Sequence, residues 1–528
     1  MDAEQELVLP CLIPMYPSFT LLRLPTAPPP HHSTSPLLHL PIELIHKIFV
    51  LAVGLSNHGS LFWITLTAIC HQIRESLICS TLPWTIIDTN SIPLAKLFLE
   101  RCKFDPHKLF VNSMGHAVAS GPTSTDGDDK AQFWEMLEDK TLNNLHSLMF
   151  DGALSVFMQR VIGLLQRAPN LSTLEVDNNL DFNLVLVRKW TPDCQLPHLT
   201  RLRLFHVLID WNTPILQNLT ELILNYTAMP PSGCLTSVQI FLSILKNCPG
   251  LEELCLISAG PVPGSNTPDE NQVVKLCKLK KLVLNFQDPY IVVCILSHIW
   301  FPGSTKVHVT TNHPLGPDIA LSQLLPFFQC LQKATSIAIT IKHAWALFVL
   351  ATDTFSLQLT IDVFPPPNLE SISLYVSKIV EIVGSDAVVI LKVQFDSRTH
   401  HIPRGVWKEL LHGLPCLKLI NYDAEQDKHT KNVNPFCLAF SEPFRGGLVC
   451  PQLQDLRMPL SFTQDPTAKA LKQVLLERDG CGRQLKWISL SRRKVGEMIV
   501  SREEEMILLH PFSDVVDKVL VEAHDTNT

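Results

Sequence analysis

Apolar residues fall along this chain in two rhythms. Near the start the spacing is helical. After Leu40 and Pro41, residues Ile42, Ile45, Ile48, Phe49 and Ala52 recur on one face, and Leu44, Leu51 and Leu55 form a second stripe beside it. Proline in the first turn costs a helix nothing, because its missing N–H has no partner there. Glu43, His46 and Lys47 are the polar residues of this stretch. A helix so apolar is buried on several sides, which in a small helical module predicts that a partner protein covers the second face. Asn57 to Ser60 interrupt it, with Ser60 as N-cap of a second helix carrying Leu66, Ile69, Cys70, Ile73 and Leu77. Ser80, Thr81 and Pro83 close that helix, and Trp84 follows.

Further on the rhythm is that of strands. Six segments share the pattern Pro-x-Leu, an apolar residue three on and another two beyond that. They begin at Pro169, Pro197, Pro249, Pro367, Pro415 and Pro451. Variants without the proline begin at Leu145, Leu219, Leu279 and Leu485. The last two apolar positions lie two apart, so they face one side of a strand, and the first closes the turn before it. Proline has no N–H to offer a ladder and fits where the chain leaves a helix and enters the strand. Helical stretches precede several copies, at 161–167, 241–246, 326–333 and 406–411. Strand and helix therefore alternate, and the fold class is α/β. The L-x-x-L-x-L core is the strand signature of a leucine-rich repeat, stacked as an α/β horseshoe solenoid. Spacing varies from about 20 to 36 residues. The asparagine usual after the strand is mostly missing: Asn179 stands there once, Thr227 and Gln287 elsewhere. Between Leu284 and Pro367 the pattern fades, with 306–311 and 335–341 as strands of degenerate repeats. A generic α/β domain with leucine-rich strands is the alternative.

Residues 40–88 resemble an F-box, in the F-box-like form common in fungal proteins. Leu40, Pro41, Glu43, Leu44, Ile45, Ile48 and Phe49 match the opening of the family pattern, and Cys70, Ser80, Thr81 and Trp84 match its later part. Ile73 stands where a tryptophan is usual. The resemblance implies docking onto a Skp-type adaptor, and through it a cullin, by Leu40, Pro41, Glu43, Leu44, Ile45, Ile48, Phe49, Leu66, Cys70 and Trp84. It further implies that the repeats select an unknown protein substrate, so that the chain is the recognition subunit of an SCF-type ubiquitin ligase and not itself an enzyme. A leucine-rich-repeat interaction scaffold whose N-terminal helices merely cap the solenoid is the rival expectation. The division is a proline-rich leader at 1–36, an F-box-like helical domain at 37–88, a repeat solenoid at 90–495, and a capping helix with a frayed tail at 496–528.

Composition narrows this further. Apolar residues make up 46% of the 528, yet no uninterrupted run reaches membrane-spanning length; the longest, 290–301 and 344–351, suit a core. The expectation is no membrane partner. A net charge of −7 argues against general nucleic-acid binding. The acidic opening Met1 to Glu6 does not resemble a signal peptide. Fifteen cysteines without a C-x-x-C pair suggest reduced core thiols in cytoplasm or nucleus. Cofactor motifs are missing: no G-x-G-x-x-G, Walker A, G-x-S-x-G or H-E-x-x-H occurs. His400-His401 lacks ligand partners, and Asp126, Asp128 and Asp129 lack the glutamate of a calcium loop. No metal or cofactor is expected. Residues 115–130, 258–270 and 423–434 read as loops, and Arg492-Arg493-Lys494 as a solvated helix start. Among the scattered tryptophans, most suit a core and some suit exposed recognition anchors.

Overall fold

A computed structural model describes residues 82–103, 105–112, 126–138, 142–152, 154–178, 195–226, 236–261, 273–286, 289–311, 336–342, 345–351, 356–362, 387–395, 403–423, 433–440, 448–459, 466–492 and 516–523, together with Leu40, Pro41, Leu44, Ile48 and Val380. These residues form an α/β structure with a mostly parallel sheet. In its first part, β1 (Ile86–Asp88), β2 (Lys108–Asn112), β3 (Ser147–Asp151), β4 (Thr173–Asp177), β5 (Arg201–Phe205), β6 (Glu221–Asn225), β7 (Glu253–Ile257), β9 (Lys281–Phe286) and β11 (Lys306–Thr311) pair in that order, each parallel to the one before. The short β8 (Val274–Lys275) and β10 (Ile299–Trp300) pair with each other as a separate parallel ladder.

The leucines that set the strand rhythm occupy the core. Leu148 and Phe150, Leu174 and Val176, Leu202 and Leu204, Leu222 and Leu224, Leu254 and Leu256, and Leu282 and Leu284 are all buried in one continuous apolar cluster. Each such side chain contributes roughly 1.5–3 kcal/mol when fully buried. The turns before β4, β5 and β7, and those before the strands that begin at Leu419 and Asp455, share one construction. The N–H of Leu171, Leu199, Leu251, Leu417 and Leu453 donates to the carbonyl three residues back, on Ala168, Leu196, Cys248, Leu414 and Cys450. Pro169, Pro197, Pro249, Pro415 and Pro451 therefore sit second in a four-residue turn. That position takes the fixed φ of proline without strain and asks for no N–H.

Between β11 and the last five strands the order reverses. β12 (Ser336–Lys342), β13 (Trp345–Ala351) and β14 (Ser356–Asp362) form an antiparallel meander. β14 pairs with β11, and β12 pairs with β15 (Ile390–Phe395), both in parallel. Only residues 343–344 and 352–355 join the three strands. Connections that short close hairpins but cannot make a parallel crossover. Because the insert has an odd number of strands, the parallel direction survives it. β15, β16 (Leu419–Asp423), β17 (Asp455–Pro459), β18 (Leu485–Arg492) and β19 (Val516–Ala523) then continue in order, completing a seventeen-stranded sheet. The expected strands at 306–311 and 335–341 are present as β11 and β12, within this meander junction.

Eight helices lie among the described residues: α1 (Ile92–Arg101), α2 (Asp126–Glu138), α3 (Leu154–Gln166), α4 (Val238–Lys246), α5 (Pro289–His298), α6 (Arg404–Gly413), α7 (Val433–Phe440) and α8 (Pro466–Gly480). The expected stretches at 161–167, 241–246 and 406–411 fall in α3, α4 and α6, while 326–333 lies outside the described residues. α4 starts cleanly because the Ser237 hydroxyl accepts the Ile240 N–H at 3.3 Å, and it buries Val238, Phe241, Leu242, Ile244 and Leu245. α6 buries Val406, Trp407, Leu410 and Leu411, and Trp407 packs edge-on against Phe436 of α7 at 5.2 Å.

Several expectations change. Residues 126–130 open α2 rather than closing a loop, and an acidic first turn suits the helix dipole. Residues 433–434 begin α7. Arg492 ends β18 and does not start a helix. In the stretch expected as capping helix and frayed tail, 516–523 form β19, ordered by its ladder with β18; residues 496–515 lie outside the described ones. Among the described residues, no helix is long and apolar enough to cross a membrane.

Candidate interaction face

Strand side chains alternate between the core and the opposite face. On that opposite face the register aligns a row running Met149, Glu175, Arg203, Ile223, Cys255, Val283 and His308 across β3 to β11. A second row, one pleat earlier, reads Thr173, Arg201, Glu221, Glu253, Lys281 and Lys306. Charges on the two rows interlock. Arg203 reaches Glu221 at 2.5 Å through Nε and Glu175 at 3.4 Å through Nη1, Arg201 lies 3.8 Å from Glu221, and Lys281 lies 2.6 Å from Glu253. The hydrogen bond from Arg203 to Glu221 pushes the guanidinium pKa up. The Glu175 pKa also rises: burial pushes it up, and Arg203 offsets this only in part. Burial also pushes the Cys255 thiol to about 11, so it stays protonated and acts as an apolar neighbour of Ile223 and Val283.

At the C-terminal ends of the strands, Asn178 is fully buried and donates its side-chain amide to the His206 carbonyl at 3.3 Å. His206 adopts a left-handed φ of 60° and sets Nδ1 3.2 Å from Asp177. The asparagine expected at 179 lies outside the described residues; the adjacent Asn178 makes the bond described above, and its own N–H donates to the Phe205 carbonyl at 3.0 Å.

The far part of the face differs in character. One row reads Ile390, Leu419, Asp455 and Trp487, and the next reads Lys392, Asn421, Arg457 and Ser489. Trp487 is exposed. Ser489 is buried, and its hydroxyl has no hydrogen-bond partner among the described residues. Trp300 is likewise exposed, while Trp134, Trp211 and Trp407 are core; Trp190 lies outside the described residues and Trp345 belongs to β13.

Of the residues expected to meet an adaptor, Leu40, Pro41, Leu44, Ile48 and Trp84 are described; Glu43, Ile45, Phe49, Leu66 and Cys70 lie outside the described residues. Leu44 and Ile48 are helical, and the Leu44 N–H donates to the Pro41 carbonyl at 3.0 Å. Leu40, Leu44 and Ile48 are 36%, 47% and 41% exposed. Leu44 and Ile48, four apart, lie along one side of the helix, and Leu40 stands in the bend before it. Trp84 behaves differently: it packs edge-on against Phe98 of α1 at 4.8 Å, with the Arg101 guanidinium 5.8 Å from its ring centre.

The face was only partly foreseeable. Glu175, Arg203, Glu221 and Ser489 sit at the variable positions of the strand pattern, where no local rhythm distinguishes a ligand-facing side chain from a solvated one. Alternation does identify them once the strand register is known. Among the described residues, no group of three or more His, Cys, Asp or Glu side chains is placed to hold a metal ion. No protein-family model and no curated protein matches this chain.

Proposed function

We propose that this chain is the substrate-recognition subunit of an SCF-type ubiquitin ligase, an F-box module followed by an irregular leucine-rich-repeat horseshoe. The observation that carries the reading is the pair of exposed helical residues Leu44 and Ile48, with exposed Leu40 just before them, ahead of a sheet whose strands pair in chain order. Large apolar side chains spaced along one helical stripe are costly in water, and burying each fully is worth roughly 1.5–3 kcal/mol. A Skp-type adaptor would cover the stripe and bring a cullin with it. Strands that pair in order, five of them introduced by the same proline turn, support a solenoid in which every repeat rests on its neighbour. Its strand-lined face would hold a protein substrate, with Trp487 as an aromatic anchor toward one end and the Glu175–Arg203–Glu221 network as a separate polar patch toward the other. The chain itself would perform no chemistry. Buried thiols kept protonated at Cys255, Cys437 and Cys450 suit a reducing compartment, cytoplasm or nucleus.

The test is copurification from the native cell with a Skp-type adaptor. Leu44→Asp together with Ile48→Asp should abolish it while leaving the circular dichroism spectrum intact. Retained adaptor would overturn the ligase reading and leave an interaction scaffold.

A further inference from the structure

We propose a second docking surface, for an extended acidic peptide segment of a partner protein, at the rim formed by the turns before β9 and β11. It does not depend on the ligase reading. Two turns lie side by side there. The Thr305 hydroxyl donates to the Leu279 carbonyl at 2.7 Å, and the Lys306 N–H donates to the Lys280 carbonyl at 2.8 Å. Just before them, β8 and β10 pair so that Lys275 stands opposite Trp300, and the Leu276 N–H donates to the Trp300 carbonyl at 2.8 Å. The rim is thus one connected piece of backbone.

Its side chains are unusual in two respects. Trp300 and Val273 are 51% and 48% exposed, among the most exposed large apolar residues described. Around them the sequence from 274 reads Val-Lys-Leu-Cys-Lys-Leu-Lys-Lys. Lys280 and Lys281 are engaged by Glu252 and Glu253, each at 2.6 Å. Lys275, Lys278 and Lys306 are exposed and form no ion pair among the described residues. Lys306 also stands directly beside Lys281 in the ladder. Glu253 already offsets the charge of Lys281, so Lys306 is the cation of that pair left to meet an added anion.

Cations beside an exposed aromatic and an exposed aliphatic side chain fit carboxylates flanking an apolar residue. A long polyanion fits less well. The chain carries a net charge of −7, which repels nucleic acid over a broad surface, whereas a short acidic segment interacts mainly within a Debye length of about 8 Å. Val273 gives a base nothing to stack on, but it suits a leucine or similar side chain.

The experiment uses the full chain and a fluorescein-labelled peptide rich in Asp and Glu with one central leucine, followed by anisotropy. Saturable binding that weakens with added salt is expected. Lys275→Glu, Lys278→Glu and Lys306→Glu combined should weaken it by about tenfold or more, with an unchanged circular dichroism spectrum. Trp300→Ser should weaken it severalfold on its own. Absence of saturable binding, equal binding by either variant, or tighter binding of oligothymidylate or phosphatidylserine vesicles than of the peptide would overturn the proposal.

Discussion

Arg478 is the buried cation on which the last third of the sheet depends. It projects from α8, is 1% exposed, and donates through Nη1 to the Val449 carbonyl at 2.9 Å and through Nη2 to the Cys450 and Leu453 carbonyls, each at 3.1 Å. These three carbonyls belong to the turn that delivers the chain into β17. The Phe440 ring lies 5.8 Å from the guanidinium carbon. Arg478→Met keeps most of the volume and removes the donors. The Cys450 carbonyl still accepts the Leu453 N–H at 3.0 Å, which leaves Val449 and Leu453 to lose this donor. A buried acceptor left unsatisfied costs about 1–3 kcal/mol, so two cost about 2–6 kcal/mol. Removing a buried charge returns part of that, since desolvation already pulls the Arg478 pKa down. The net expectation is a loss of about 2–4 kcal/mol. Arg478→Lys should also lose stability, because an ammonium lacks the planar fork that spans these carbonyls. Urea unfolding followed by far-ultraviolet circular dichroism measures both. A methionine variant as stable as the parent would refute the assignment.

Other outcomes follow from the same geometry. For Glu175, burial raises the folded-state pKa above 4.5, so the folded state takes up a proton at higher pH than the unfolded state; its charge costs stability at neutral pH, and the cost disappears as pH falls through the folded pKa toward the unfolded value. Carbon-detected NMR should therefore find Glu175 titrating above 4.5, and a value at or below it would contradict the burial argument. Gly260→Ala would drive a Cβ into the Phe286 ring, which is buried, and should cost about 1–3 kcal/mol in urea unfolding. Cys277 and Cys481 are exposed, whereas Cys437 and Cys450 are buried with thiols pushed up by burial. Maleimide labelling read by mass spectrometry should modify the first pair in the native protein and the second pair only after unfolding; equal rates would contradict the packing.

The strand rhythm was legible because it is enforced locally. Pro169, Pro197, Pro249, Pro415 and Pro451 mark turns that proline suits in any context, and the leucines after them have one face on which to be buried. The reversed meander was harder to read. Alternation at Ile337, Ile339 and Ile341 and at Leu357, Leu359 and Ile361 announces strands, but nothing in it says that β14, not β12, joins β11; the short connections settle that only once all three strands are recognised. β19 was missed because Val519 and Val521, which stand beside Ile488 and Leu490 in the ladder, follow residues that read as a helix and tail. Arg478 was invisible for another reason: an arginine in a polar-looking helix is normally solvated, and only the fold brings three carbonyls to it. The paired charges on the strand face share this character, since Glu175 and Arg203 are 28 residues apart and meet through register alone.

We propose that Leu44 and Ile48, with Leu40 just before their helix, dock a Skp-type adaptor. Isothermal titration of the full chain with a purified adaptor tests it most directly. The account predicts saturable binding that Leu44→Asp with Ile48→Asp removes, while the urea midpoint of the rest of the chain stays unchanged; no binding by the parent chain, or undiminished binding by the variant, would contradict it.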